Sequence, residues 1–267
     1  MKAVHLLSVC LMFLVLACTT PPQPTHSEEP EPKAEPVSGD GPQSPRDIDN
    51  PAGENKSVFS LAPNYDGMNL CNIHFHVNAE HKAQDFSTLD ETGAGGYKCG
   101  TPLTPQELQP IEGEICHGVK PGDTIEVHWV YSSCNVEPGK GLGSCLSDAC
   151  SNPNLRVETQ VFIGVNDPTA LNFDDFRLAG QVNGYYQAKA LPTDTGEPVR
   201  YLGSTTGPSF SDVLGSPFQV SWSVRPQCAK LDINSLGKWC EDNVFKEDHG
   251  HGVRKLVTNP ESLSEIK

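Results

Sequence analysis

Positive charge is scarce in this chain. It carries 19 Lys and Arg against 34 Asp and Glu, a formal net charge of −15. A nucleic-acid partner demands a basic face to neutralise its phosphates, so the balance argues against that class, and no polybasic patch is present to hold anionic lipid. Beyond the first residues no apolar run is long enough to span a bilayer. No Cys-x-x-Cys pair occurs, which removes the commonest zinc–cysteine clusters. There is no internal repeat. Helix signals are few and short, over Thr104–Gln109 and Asn234–Phe245.

What the chain does have begins with a leader. Lys2 precedes an apolar stretch, Leu6 to Ala17, too short for a membrane span. The ending Val15-Leu16-Ala17-Cys18 resembles the lipobox of bacterial lipoproteins. The expectation is a signal peptide over 1–17 and a lipid on Cys18, with an ordinary secretory signal cleaved nearby as the alternative. Either route exports the protein, to the lipid-anchored side of a bacterial cell envelope in the first case. Residues 18–39 are rich in Pro, Glu and Ser without apolar periodicity and read as a disordered linker. Residues 40–267 read as one folded domain. Eight cysteines remain after the leader and Cys18, an even number that in an exported chain points to disulfides. Sequence proximity suggests Cys145–Cys150 and Cys228–Cys240, although pairing cannot be derived from spacing.

Short β-branched and aromatic runs, punctuated by Gly, Pro, Asn and Asp, predict strands at Cys71–Val77, Thr124–Tyr131, Val157–Val165 and Phe218–Val224. The expected fold is mainly β, a central and largely antiparallel sheet with long loops and few short helices.

On a strand, side chains alternate between two faces. Asn72, His74 and His76 therefore share one face while Ile73 and Phe75 take the other. On the second run Glu126 and His128 share a face opposite Ile125, Val127 and Trp129, with Val130 continuing the His128 side. Three imidazoles with one open position make the ligand set of a catalytic zinc. A ligating imidazole also needs its other nitrogen held, and Asn72 and Glu126 are placed to do this for His74 and His128. Trp129 and Trp222 read as core. His117 is a solvated loop histidine or a proton carrier, and His249 and His251 read as bystanders near the C-terminus.

These residues also resemble a known family. His74-Phe75-His76-Val77-Asn78-Ala79-Glu80-His81 is similar to a signature of bacterial alpha-class carbonic anhydrases, and Glu126-Val127-His128 to that family's Glu-Leu-His. Gln43-Ser44-Pro45-Arg46-Asp47-Ile48, Tyr201 to Pro208 and Val220-Ser221-Trp222-Ser223-Val224 resemble three further segments, in the same order. The interval from Glu80 to Glu126 is longer than in typical alpha enzymes, and the extra cysteines and Gly41-Pro42-Gln43-Ser44-Pro45-Arg46-Asp47-Ile48-Asp49 look more like the delta class. The resemblance implies reversible hydration of CO2 to bicarbonate by a zinc-bound hydroxide, with Zn2+ on His74, His76 and His128. It implies that Thr205, with Thr206 beside it, orients the hydroxide and donates to Glu80, and that His81 has a supporting, hydrogen-bonded role. Rival readings are a non-catalytic relative that binds zinc or another ligand in the cell envelope, a zinc-storage protein, and a cupin-like metal barrel. Storage would call for a His-rich tract, which is missing, and a cupin would not explain the Gln-Ser-Pro segment.

Overall fold

Alternating β-branched and aromatic residues build the strands at the centre of this molecule. The computed structural model describes residues 41–92, 95–113, 116–205 and 215–267. Ten strands occur among them: β1 Asn69–Val77, β2 Phe86–Leu89, β3 Tyr97–Cys99, β4 Thr124–Ser132, β5 Leu155–Val165, β6 Leu178–Val182, β7 Tyr185–Ala188, β8 Val199–Ser204, β9 Gln219–Val224 and β10 Ala229–Asp232. The leader, Cys18, the whole of the linker and Thr206 lie outside the described residues.

The main sheet runs β1-β4-β5-β9-β8, with β10 also paired to β5. Its pairs β1–β4, β4–β5 and β8–β9 are antiparallel, whereas β5–β9 and β5–β10 are parallel. The mainly β expectation holds, and the sheet is mixed. β5 is the longest strand and takes two parallel neighbours in succession: its Leu155–Thr159 half lies beside β9 and its Phe162–Val165 half beside β10. Two small hairpins, β2–β3 and β6–β7, lie outside this sheet.

Strand alternation divides the core into two layers. Ile73, Phe75, Ile125, Val127, Trp129 and Phe162 fill one face of the sheet with α1, Ile233–Glu241. Val130, Val157, Val161, Val220, Trp222 and Val224 fill the other. Asp232 caps α1 by accepting the Asn234 N–H, and Ile233, Leu236 and Trp239 form its buried stripe. Each of those side chains contributes roughly 1.5–3 kcal/mol by leaving water. The helix stops before the expected Phe245, and the Asn243 amide donates to the free Trp239 carbonyl at 3.0 Å. The other expected helix is only a turn. Thr104 and Glu107 do form reciprocal capping bonds, but Pro110 biases Gln109 away from helical backbone.

Both proximity-based disulfide pairings are overturned. The bonds are Cys71–Cys145, Cys99–Cys228, Cys116–Cys240 and Cys134–Cys150. Cys145 is fully buried against β1, which leaves the turn at Ser147–Cys150 to meet Cys134 instead. Cys228 precedes β10 and meets β3, while Cys240 on α1 meets Cys116 within the same core layer.

Peptide mapping of the unreduced protein is expected to return these four pairs and neither neighbour pair. In the chain-entropy account a cross-link spanning 129 residues stabilises by about 5 kcal/mol and one spanning 16 by about 3 kcal/mol. Urea denaturation should therefore show a larger loss for Cys99→Ser/Cys228→Ser than for Cys134→Ser/Cys150→Ser. The reverse order would contradict that account.

Candidate metal centre

Three imidazoles converge because two antiparallel strands are in register. His74 lies opposite His128 and His76 opposite Glu126. Alternation sends all four, with Asn72, to one face of the sheet. The ring centroids of His74, His76 and His128 are 4.9 to 5.3 Å apart. One ring nitrogen from each lies within 4.8 Å of the other two.

Each ring is oriented by a bond to its other nitrogen. His74 Nδ1 donates to Asn72 Oδ1 at 2.7 Å, and His76 Nδ1 to the Gly252 carbonyl at 2.9 Å. His128 Nε2 donates to Glu126 Oε1 at 2.6 Å. The acceptors assign the tautomers and leave lone pairs on His74 Nε2, His76 Nε2 and His128 Nδ1. His74 Nε2 and His128 Nδ1 stand 3.2 Å apart. With both outer nitrogens committed as donors, two lone pairs face each other with no hydrogen between them. A cation among the three nitrogens removes that conflict, so this donor set fits a metal ion.

Electrostatics point the same way. Burial, with neighbouring His128 and His76 adding to it, pushes His74 well below the usual imidazole value, and burial also lowers His76. Both are thus kept uncharged and able to ligate at neutral pH.

A second cluster, His81, Glu126 and His128, is equally close-packed. It is a hydrogen-bonded chain and not a competing metal site. Glu126 accepts from His128 Nε2, from His81 Nδ1 at 2.7 Å and from the His81 backbone N–H at 3.1 Å. The nitrogens that would have to ligate already carry the protons of these bonds. Burial alone would raise Glu126, yet His81 and His128 hold it well below the carboxylate range. His81 Nε2 accepts from the Tyr201 hydroxyl at 2.7 Å, and burial keeps that phenol protonated. The Arg46 guanidinium lies over the Tyr201 ring, 5.4 Å from its centroid.

Glu80 is buried beside the cluster. Its Oε1 accepts the Arg254 N–H at 2.9 Å and lies 3.7 Å from His76 Nδ1. Burial would raise this carboxyl, but His76 and Arg254 hold it below its ordinary value. Thr205 follows β8 and donates its N–H to the Phe218 carbonyl at 2.9 Å. The Gln-Ser-Pro segment braces this point. Gln43 Oε1 accepts from Ser204 Oγ at 3.1 Å and from the Ser216 N–H at 2.8 Å, and Ser44 Oγ donates to the Ser204 carbonyl.

Trp129 is core, as expected, while Trp222 is both core and wall. Its ring stands 5.1 Å from His128 and 4.8 Å from His81. Val130 is buried in the same layer. His251 departs from the bystander expectation. Its ring lies 5.6 Å from His74 and 5.8 Å from His76, and its backbone pairs with β1 through Phe75 and Val77. The close approach needs Gly250, where a Cβ would fall 2.4 Å from Val77 Cγ2. His249 stacks on His251 at 5.4 Å, and the His117 backbone bonds to Asp248. Gly252 and Arg254 come from the same C-terminal segment, which has no strand alternation to reveal them; Gly252 acts through its carbonyl, and Arg254 through its N–H and through a guanidinium 3.7 Å from Glu80. Tyr201 carried one signal, a polar aromatic at an alternating position.

Glu126→Gln is expected to weaken metal binding about ten- to hundredfold, because the charge holding His128 is lost. A chelator-competition titration measures this, and an unchanged affinity would contradict the assigned role.

A family model described as Delta carbonic anhydrase matches residues 65–235, well over half of the chain. No curated protein matches. Among solved structures, the Photobacterium profundum alpha-carbonic anhydrase is 18% identical, covering 84% of this chain and 88% of its own, at a TM-score of 0.29. The alpha-carbonic anhydrase from Thermovibrio ammonificans, in complex with the inhibitor sulfanilamide, is 19% identical, with 80% and 84% covered and a TM-score of 0.28. A hyperthermostable carbonic anhydrase from an active hydrothermal vent chimney is 17% identical, with 85% and 86% covered and a TM-score of 0.29. At scores this low the superpositions add nothing to the family match, which spans His74, His76, Glu80, Glu126, His128, Tyr201 and Thr205. The chain belongs to the delta carbonic anhydrase family, and the activity this supports is the hydration of CO2.

Proposed function

We propose that this protein is a zinc-dependent carbonic anhydrase that interconverts CO2 and bicarbonate on the His74, His76 and His128 face. The observation carrying the zinc assignment is the set of three inward lone pairs, each fixed by an outer acceptor. His74 Nε2, His76 Nε2 and His128 Nδ1 are the nitrogens that would hold the ion. Bound zinc supplies Lewis acidity that brings a water's pKa toward neutrality, making a hydroxide nucleophile available to CO2.

The chain's own residues do the rest. Glu80 holds a negative charge in a buried position and serves as acceptor for the Thr205 hydroxyl hydrogen. That donation leaves a Thr205 Oγ1 lone pair to take the hydrogen of the attacking oxygen and so aims it. This division of labour rests on the family resemblance of Glu80 and Thr205, with Thr206 as the neighbouring position. Glu126 fixes His128 and, through His81, ties the ligand to Tyr201. Val130 and Trp222 offer apolar surface beside His128, suited to a small uncharged substrate.

The same proposal includes export, with a lipid on Cys18 as the sole membrane attachment. Four disulfides support an oxidising compartment. CO2 and bicarbonate are the partners, and the acidic surface speaks against nucleic acid.

Stopped-flow CO2 hydration, with metal quantified on the same oxidised sample, tests the reading. About one zinc per chain is expected, with turnover abolished by a chelator and by His128→Ala. Thr205→Ala should lower kcat/KM by about a hundredfold with zinc content unchanged. Stoichiometric zinc without hydration would favour the non-catalytic relative, and a folded protein that binds no zinc would overturn the ligand set.

A further inference from the structure

We propose that the loop joining β4 to β5, residues 133–154, positions the ligand His74 through Asn72, and that the Cys71–Cys145 bond pins the loop for this task. The proposal rests on the zinc reading above and concerns what holds one of its ligands.

The three ligands are held by three kinds of partner. Glu126 is a carboxylate and can only accept, and the Gly252 carbonyl can only accept, so His128 and His76 have an unambiguous bond. Asn72 is different. Its amide can present either oxygen or NH2 to His74, and only the oxygen suits a His74 whose Nε2 must keep its lone pair. The sense is set at the other end of the amide, where Asn72 Nδ2 donates to the Gly139 carbonyl at 3.1 Å. Asn72 is fully buried, so water does not substitute for that partner. The position of Gly139 therefore decides which way Asn72 faces.

Gly139 belongs to a long loop with no strand and a single short 3-10 turn, Leu142–Cys145. Loops of this length inside a compact domain are uncommon and generally serve a function. Few apolar side chains hold it down: Val136 is buried and Leu142 partly so, while Glu137, Lys140, Gly143 and Asp148 are exposed. Its anchoring converges on Cys71. The Gly139 N–H and Ser144 Oγ both donate to the Cys71 carbonyl, at 3.0 and 2.8 Å, and the sulfur of Cys71 is bonded to Cys145. Ser132 Oγ adds a bond to the Cys145 carbonyl at 2.7 Å.

Cys71 is also where β1 slips register against β4, because Leu70 pairs with Tyr131 and Asn72 with Val130. The extra residue puts Cys71 and Asn72 on the same side of the sheet, as bulges do when they re-aim a side chain. The bulge thus turns Cys71 to the side that Asn72 and His74 already share by alternation, and there Cys71 moors the loop that orients the amide. Without the Cys71–Cys145 bond, Cys134–Cys150 would still close the base of the loop, but nothing covalent would tie its Gly139–Cys145 stretch to β1, and Gly139 would be held over the amide only by hydrogen bonds.

The test compares zinc affinity, by chelator competition, in the oxidised wild type and in Cys71→Ser/Cys145→Ser. The control is Cys99→Ser/Cys228→Ser, whose cross-link closes a longer loop but touches neither Asn72 nor Gly139. The expected result is a zinc Kd raised about ten- to hundredfold in the first variant and little changed in the control. Nitrogen-15 spectra of the zinc-loaded forms give a readout independent of stability. The His74 Nδ1–H signal should be lost or exchange rapidly in the first variant while those of His76 and His128 persist. A Kd within about threefold of wild type with the His74 signal intact would overturn the proposal, as would an equal rise in the control. If the double variant does not fold, Ser144→Ala keeps all four bonds while loosening the same turn. It should raise Kd several-fold, and an unchanged value would overturn the proposal. A wild type that binds no zinc would instead bring down the zinc reading itself, and this proposal with it.

Discussion

The registration of β1 against β4 is the constraint on which the site depends. With His74 opposite His128, three imidazoles meet on one face; a slip of one residue would send every side chain of β1 to the other face. Burial makes such a slip costly. Ile73 and Phe75 on one strand, and Ile125, Val127 and Trp129 on the other, fill the opposite layer, so the apolar core and the histidine cluster are set by the same pairing. Hydrophobic packing, which has no chemistry of its own, thereby places the nitrogens.

Placement alone would leave the imidazoles free to rotate, and the second requirement is met by partners from separate parts of the chain. Glu126 and Asn72 come from the same strands as the ligands they hold. Gly252 comes from the C-terminal segment that returns across β1, and Arg254 of that segment bonds Glu80. Glu126 is the most heavily used, accepting three N–H groups and linking His128 through His81 to Tyr201 and Arg46. Charge-assisted bonds of this kind are roughly twice as strong as neutral ones, and a buried carboxylate with three donors has little freedom to move.

Much of this was legible from period-2 alternation. The strands around Asn72, His74, His76, Glu126 and His128 were readable because polar residues there interrupt an otherwise apolar pattern at every second place. What alternation cannot report is the partner of a backbone carbonyl, so Gly252 and Gly139 stayed hidden. His251 was passed over for a related reason: it lies in a Gly-containing, charged stretch without periodicity, yet that stretch pairs with β1 and brings the ring to within 5.6 Å of His74. The disulfides were the clearest failure of sequence proximity. Cys145 and Cys150 are neighbours along the chain, but one turns inward to β1 and the other faces Cys134. The parallel strands flanking β5 were equally out of reach, since pairing direction is decided by where the connections run and not by the strand's own residues.

Histidine nitrogen-15 spectra of the zinc-loaded, oxidised protein show most directly whether the three inward nitrogens converge on the ion. His74 and His76 are expected to be metal-bound through Nε2 with their proton on Nδ1, and His128 to be bound through Nδ1 with its proton on Nε2. A zinc-loaded protein in which any of the three shows the opposite tautomer, or remains unbound, would contradict this assignment.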